Sequence, residues 1–178
     1  MEDIFIACTD NLTGFSAAIG AVFPKTEIQN CIIHQLRNSS KYVSYKDIKA
    51  LMADLRSVYA AVDEPAALDA LDAFSTKWDT KYPKISWSWR ENWANLSTYF
   101  KYPQEVRRLI YTTNSIEGFN RQLRKVTKTR SVFPTDDSLF KILYLTMVDI
   151  TKKWTGRQRD WSVIHAQLSI YFAERMPE

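Results

Sequence analysis

Glycine and proline are scarce in this chain, with 4 glycines and 6 prolines among 178 residues. This scarcity argues against a turn-rich β-sandwich and favours long helices. The chain has no run of eighteen apolar residues, so we expect no membrane-spanning helix. The first residues carry no basic segment ahead of their apolar run, which argues against a secretory signal. With only two cysteines, we expect a reduced cytoplasmic protein rather than a disulfide scaffold.

Basic residues are concentrated in the second half of the chain. The formal net charge is −2 over residues 1–100 and +6 over residues 101–178, within a total of +4. A basic half is the electrostatic footprint of a polyanionic partner such as nucleic acid. Surplus lysine on solvated helices produces the same imbalance, so charge alone leaves both interpretations open.

A strand–helix–strand pattern opens the chain. A short apolar run over residues 4–8 predicts a strand buried on both faces, and residues 27–33 predict a second strand. Between them, apolar residues over 12–22 recur at helical spacing. Such a unit makes the two strands parallel. Asp10 then lies at the carboxyl end of the first strand, where open α/β sheets place their chemistry, or it simply caps the following helix.

Helical periodicity dominates the remainder of the sequence. Apolar spacing predicts three amphipathic helices that together make residues 40–107 all-helical, over the ranges 48–62, 65–78 and 89–100. The same periodicity predicts three more helices, over the ranges 114–130, 136–153 and 160–174.

The helix predicted from Asn114 begins one of its faces with a carboxylate. At about 100° per residue, the basic residues that follow Glu117 on that face are Arg121, Arg124, Lys125 and Lys128. One interpretation is structural: Asn114 and Glu117 fit a capping box, and Glu117 with Arg121 fits an i,i+4 ion pair. The other combines Glu117 with Asp10 in a metal-dependent phosphoryl-transfer site, where two divalent ions activate a water or a 3′-hydroxyl and basic side chains hold the phosphodiester backbone.

Two further groups of side chains have competing interpretations. Cys31 and His34 have the spacing of a zinc-ligand pair, but the sequence offers few other soft ligands. A buried cysteine and a strand-end histidine in a hydrogen-bonding role are therefore favoured. Trp89 and Trp93 belong to a tryptophan cluster that predicts either core packing or a stacking platform for an unpaired base.

Four segments of the chain together resemble a known family. They are ACTDNLTGF at 7–15, CIIHQLRN at 31–38, WRENW at 89–93 and IYTTNSIE at 110–117. In this order and at these distances they resemble the Mutator-type bacterial insertion-sequence transposases. The resemblance runs from residue 3 to about residue 172, which is nearly the whole chain.

The resemblance implies a helix-rich α/β protein with a partial ribonuclease H-like fold. Residues 1–39 and 108–178 would form the catalytic core, with two parallel strands remaining, and residues 40–107 an all-helical insertion. Asp10 would be the second catalytic aspartate and Glu117 the catalytic glutamate, both ligands of Mg²⁺ or Mn²⁺. The residues expected to support that site are His34, Cys31 and Asn114. The residues expected to bind DNA are Arg121, Arg124, Lys125, Lys128 and Arg130.

The implied function is that of a DDE transposase catalytic-domain fragment, which cleaves DNA strands at transposon ends and transfers them in a metal-dependent reaction. The expected location is the bacterial cytoplasm, in association with the nucleoid. In this family the first aspartate lies on an earlier strand. Asp3 cannot replace it, because it begins the strand that leads to Asp10 and, if that strand is extended, lies about 20 Å from Asp10. We therefore expect the two-ion site only in the complete protein.

Two alternatives to this function remain open. The first is a catalytically dead, truncated remnant that binds DNA or an intact transposase. The second is a different ribonuclease H-like nuclease. Strand transfer in addition to nicking separates a transposase from a nuclease.

Self-association is the first testable expectation. Two parallel strands form a marginal sheet, and the unpaired backbone groups beside Ile4, Phe5 and Ile6 make a template for another strand. We predict that the chain alone is poorly soluble or self-associates, and that it gains stability when the upstream strands are supplied in trans. Sedimentation and thermal unfolding with and without that segment test this. A monodisperse monomer that ignores the added segment would contradict the prediction.

Overall fold

The computed structural model describes residues 3–111, 114–129, 132–154 and 160–176. Its two strands are β1 (Ile6–Thr9) and β2 (Glu27–Asn30). Its α-helices are α1 (Phe15–Val22), α2 (Ile32–Ser40), α3 (Tyr45–Tyr59), α4 (Glu64–Trp78), α5 (Pro83–Glu91), α6 (Trp93–Leu96), α7 (Gln104–Ile110), α8 (Asn114–Thr127), α9 (Asp136–Lys152) and α10 (Trp161–Tyr171). Short 3₁₀ helices span Thr98–Lys101 and Ala173–Arg175. The predicted helix-rich α/β class is confirmed.

The two strands pair in parallel, as predicted, with Ile6 opposite Glu27 and Thr9 opposite Asn30. The second strand ends three residues earlier than expected. The Cys31 amide still donates to the Thr9 carbonyl at 2.7 Å, but Cys31 itself is the N-cap of α2. The β-branched pair Ile32-Ile33 is typical of a strand, and it extended the predicted strand to residue 33. In the structure, Ile32 and Leu36 are buried one helical turn apart, so tertiary burial favours the helix over β-propensity.

The helix predicted over 12–22 begins only at Phe15, because the chain first turns through left-handed backbone. Asn11 has φ 38° and Gly14 has φ 82°. None of the residues of α1 is buried within the described chain, and Val22 is 69% exposed. The apolar side of this helix therefore faces outward.

The segment 40–107 is helical wherever it forms regular structure. Helices α3 and α4 pack on each other, and the side chains that bury this contact are Leu51, Leu55, Val58, Ala67, Leu71 and Phe74. The helix predicted over 89–100 is instead broken into the end of α5, α6 and a 3₁₀ turn. Asn92 lies at the first break, where its side-chain amide donates to the Ser88 carbonyl at 2.8 Å.

A buried glutamine connects this helical segment to the sheet. Gln29 on β2 is fully buried, and its side-chain amide donates to the Leu96 carbonyl at 3.0 Å. Its carbonyl oxygen accepts from the Tyr99 amide at 2.7 Å. The Thr98 hydroxyl also donates to the Ile28 carbonyl at 2.7 Å. One continuous apolar core runs from α2 through α3–α7 to α10. The boundaries of an insertion at 40–107 stay a prediction.

The C-terminal residues contact the segment that leads into β1. Phe5 stacks on Phe172 with ring centroids 4.8 Å apart. Arg175 forms a bidentate pair with Asp3 at 2.7 and 2.8 Å and donates to the Ile4 carbonyl at 2.9 Å. The Arg175 guanidinium lowers the pKa of the Asp3 carboxyl.

In the ranges that the structure describes, no helix combines the length and the apolar character needed to cross a membrane.

Replacing Gln29 tests the connection between β2 and the helical segment. Gln29→Leu keeps the side-chain volume but leaves the Leu96 carbonyl and the Tyr99 amide without their partner. Each buried polar group left unsatisfied costs about 1–3 kcal/mol, so for these two groups we expect the free energy of unfolding to fall by about 2–6 kcal/mol. Urea denaturation followed by circular dichroism measures this change.

Gln104→Leu is the matched control, because Gln104 is exposed at the start of α7. We expect it to change the free energy of unfolding by no more than about 0.5 kcal/mol. Equal stabilities for the two variants would show that the Gln29 hydrogen bonds do not hold the sheet.

Candidate active site

A cleft of about 720 Å³ opens where the ends of β1, α2 and α8 meet. Its lining contains both carboxylates that the sequence analysis selected. The lining residues are Cys8, Thr9, Asp10, Phe15, His34, Arg37, Ile116, Glu117, Asn120, Arg121 and Arg124. Residues separated by up to 116 positions thus share one surface.

Asp10 follows β1 and is exposed, while the residues on both sides of it are anchored. The Thr9 hydroxyl donates to the Asn30 side chain at 3.1 Å. The Asn11 side-chain amide donates to Gln35 at 3.0 Å, and Gln35 in turn donates to the Ser88 hydroxyl at 3.0 Å. These bonds fix the loop and leave the Asp10 carboxylate available to the cleft.

The alternative in which Asp10 caps the next helix is wrong. The N-cap position of α1 is occupied by Gly14, four residues further along, and no side chain makes a capping hydrogen bond there. Asp10 therefore has no part in starting that helix.

Glu117 lies in the first turn of α8, and its partners come from a distant helix. Its Oε1 is 3.1 Å from His34 Nε2 and accepts a hydrogen bond from an Arg37 terminal nitrogen at 3.0 Å. His34 was expected at a strand end; it lies on α2, one turn before Arg37. Within the described chain, the carboxylate pairs with these α2 residues rather than with Arg121 at i,i+4. The side chain of Asn114 lies outside the described part of the structure.

Both cysteines are thiols, and Cys8 lines the cleft. Cys31 is fully buried at the start of α2. Burial raises the pKa of the Cys8 thiol to about 11, and the neighbouring Cys31 adds to the rise. A thiol with such a pKa is protonated at neutral pH, and the thiolate is the form that binds a metal ion. The Cys8 sulfur therefore suits packing better than ligation.

The candidate ligands for a metal ion in this cleft are carboxylate oxygens. Among the described residues, no group of three or more His, Cys, Asp and Glu side chains is placed to hold a metal. Mg²⁺ keeps several waters and is often bound by one or two carboxylates together with substrate phosphates. The pair Asp10 and Glu117 is compatible with that mode of binding.

Only part of the predicted basic face reaches the cleft. Arg121 and Arg124 line it, whereas Lys125 on α8 and Lys128 just after the helix are exposed and do not line it. Arg130 falls outside the described residues. The opposite side of α8 packs against α9 and the residues after it, with the Phe119 and Trp154 rings 5.8 Å apart.

The prediction that Trp89 stacks on a base is wrong. Trp89 is 1% exposed and donates its indole N–H to the Ser39 hydroxyl at 3.0 Å, so no base can reach its ring. Trp93 is half-buried against the core, and its N–H donates to Glu64 at 2.9 Å. The core interpretation of this pair is the one that the structure supports.

Arg37 is the principal cleft residue that the sequence analysis missed. The strand predicted over 27–33 hid the helical relation between His34 and Arg37. Once the strand ends at Asn30, an i,i+3 spacing places both side chains on one face of α2. Asn120 was missed for another reason: it is an uncharged residue of the basic helix, and nothing in the local sequence distinguishes it.

Comparison with known proteins agrees with the resemblance in the sequence. The family model described as "Transposase, Mutator family" matches residues 1–157. A probable transposase for an ISRM3-like insertion sequence element from Sinorhizobium fredii is 45% identical over 98% of this chain and 44% of its own length. The transposase for insertion sequence element ISRM3 from Rhizobium meliloti is 44% identical over the same shares.

A third relative, a probable insertion-sequence transposase from Corynebacterium diphtheriae, is 40% identical over 86% of this chain and 45% of its own length. The chain thus spans less than half the length of each of these three relatives. The family model covers most of the chain, and it includes both cleft carboxylates. On these grounds the chain belongs to the Mutator family of transposases.

Proposed function

We propose that this chain is the C-terminal part of a DDE-type transposase catalytic domain. The observation that carries the proposal is the meeting of Asp10 and Glu117, 107 positions apart in sequence, in one cleft with three arginines. Two carboxylates beside guanidinium groups match the needs of DNA phosphoryl transfer, in which cationic charge neutralises the phosphate. The substrate would be DNA at transposon ends and at the target.

The fold supports a ribonuclease H-like core made of residues 1–39 and 108–178. Parallel β1 and β2, joined through α1, place Asp10 at the carboxyl end of a strand, where α/β proteins bind their ligands. The helical segment 40–107 would then be an insertion into that core, covering β2 through the Gln29 contacts.

In this proposal the cleft supplies metal ligands, phosphate-binding residues and one positioning residue. Asp10 and Glu117 would hold Mg²⁺ or Mn²⁺ through their oxygen atoms. When bound, such ions supply an activated water or 3′-hydroxyl and stabilise the leaving oxygen. Arg121 and Arg124 would bind the phosphodiester backbone, which positions the duplex without reading its sequence. His34 orients the Glu117 carboxylate by its contact with Oε1.

The complete protein would hydrolyse strands at the transposon ends and join the 3′ ends to target DNA, in the bacterial cytoplasm near the nucleoid. Its expected partners are DNA and either a second copy or an intact transposase. A non-catalytic DNA-binding remnant is the second candidate function. The observation that favours it is that the described cleft contains two carboxylates, Asp10 and Glu117, and no third.

Plasmid nicking separates the two candidates. With the upstream strands supplied in trans, we expect the 178-residue chain to nick supercoiled DNA in Mg²⁺ or Mn²⁺, and Glu117→Gln or Asp10→Asn to reduce the rate at least about 100-fold, since a metal ion supplies several kcal/mol of transition-state stabilisation. Glu91→Gln, which removes an exposed carboxylate from α5, is the matched control and should nick at the wild-type rate.

A pre-cleaved duplex with a 3′-hydroxyl, incubated with target plasmid, reports strand transfer in the same samples. Joined products identify a transposase, and nicks without joining identify another nuclease. Wild-type and Glu117→Gln chains that bind duplex DNA equally and leave plasmids equally intact would support the non-catalytic remnant.

A further inference from the structure

The Glu117 carboxylate is already paired with a cation in this structure. Arg37 reaches its Oε1 through a single terminal nitrogen at 3.0 Å, and His34 Nε2 approaches the same oxygen at 3.1 Å. The Arg37 side chain is 56% exposed and that of Glu117 is 33% exposed. An arginine thus supplies positive charge to a carboxylate that, in the proposed function, would hold a metal ion.

Arg37 uses little of its bonding capacity in this pair. A guanidinium has five N–H donors, and one of its nitrogens makes the contact with Glu117. The side chain also lines the cleft beside Arg121 and Arg124. Its other donors suit a phosphate oxygen, because arginine binds carboxylate and phosphate with similar geometry.

Because the Arg37–Glu117 pair is exposed, separating its partners costs little free energy. Ion pairs that water reaches contribute a factor of roughly five or less to an equilibrium constant, because solvent screens the charges. If the ion pair were buried, Arg37 would separate from Glu117 much less readily. His34, one turn away on the same helix, contacts the carboxylate independently, so Glu117 keeps an anchor when Arg37 leaves.

We propose that Arg37 is an exchange residue: it pairs with Glu117 while the cleft holds no divalent ion, and it moves to a DNA phosphate when an ion binds the carboxylate. This inference rests on the proposed function, because it requires Glu117 to be a metal ligand. In this exchange, one guanidinium and one divalent cation compete for the same carboxylate oxygen. Loading of metal and capture of DNA would then be coupled through a single side chain.

Arg37→Gln should therefore change two affinities in opposite directions. Without the competing guanidinium, we expect Mn²⁺ to bind roughly two- to fivefold more tightly, which is the scale of an exposed ion pair. Affinity for duplex DNA should fall, and the slope of log affinity against log salt should become shallower by about one unit at most. Electron paramagnetic resonance of unbound Mn²⁺ and fluorescence anisotropy of labelled duplex measure the two effects.

Arg124→Gln is the matched control, because it removes the same charge from the same cleft and its side chain makes no Glu117 contact in the described structure. It should weaken DNA binding similarly while changing Mn²⁺ affinity less than Arg37→Gln does. Arg37→Lys, which keeps the charge, should restore both affinities toward those of the wild type. Circular dichroism confirms that each variant is folded.

Three results would overturn the exchange. Weaker Mn²⁺ binding by Arg37→Gln would make Arg37 a fixed support of Glu117. Equal tightening by Arg124→Gln would reduce the effect to the general charge of the cleft, and unchanged affinities would make Arg37 a bystander. Glu117→Gln separates this inference from the proposed function: if that variant binds Mn²⁺ as well as the wild type, the metal-site assignment itself is wrong.

Discussion

The contact of β2 with residues 96–99 is the constraint on which the rest of the structure depends. A parallel sheet of two strands is marginal without something to pack on. Gln29 satisfies backbone groups at Leu96 and Tyr99, and Thr98 bonds the strand at Ile28. With β2 held in this way, β1 pairs along it and ends at Thr9. The position of Asp10 thus depends on the polar contacts that hold β2.

Helix α2 connects the end of β1, which precedes Asp10, to the Glu117 carboxylate. Its first amides are held by the carbonyls of Thr9 and Tyr111, at 2.7 Å to Cys31 and 3.0 Å to Ile32. At 100° per residue, one face of α2 buries Ile32 in the core while the opposite face presents His34 and Arg37 to the cleft. The same short helix therefore anchors the core and pairs with Glu117. Its two functions are separated only by direction around the helix axis.

The sequence by itself determined the elements whose signals are local. A short apolar run and the strand–helix–strand order predicted the parallel strands, and period-3.6 patterns predicted most of the helices. Four short motifs identified the Mutator family, and the position of Asp10 after an apolar run selected it as a site candidate. Boundaries were less accurate, as at Ile32, where β-branched residues suit a buried helix as well as a strand.

Only the tertiary structure decided which side chains meet. The spacing of Glu117 and Arg121 allowed a local ion pair, yet the carboxylate pairs with Arg37, 80 positions away, because α2 and α8 converge. The exposed-or-buried choice at Trp89 was likewise undetermined, since an indole ring suits a core and a stacking surface equally well. Sequence periodicity reports the face of a residue on its own helix. The partner on that face depends on how distant elements pack, and this information resides in the whole chain rather than in any window of it.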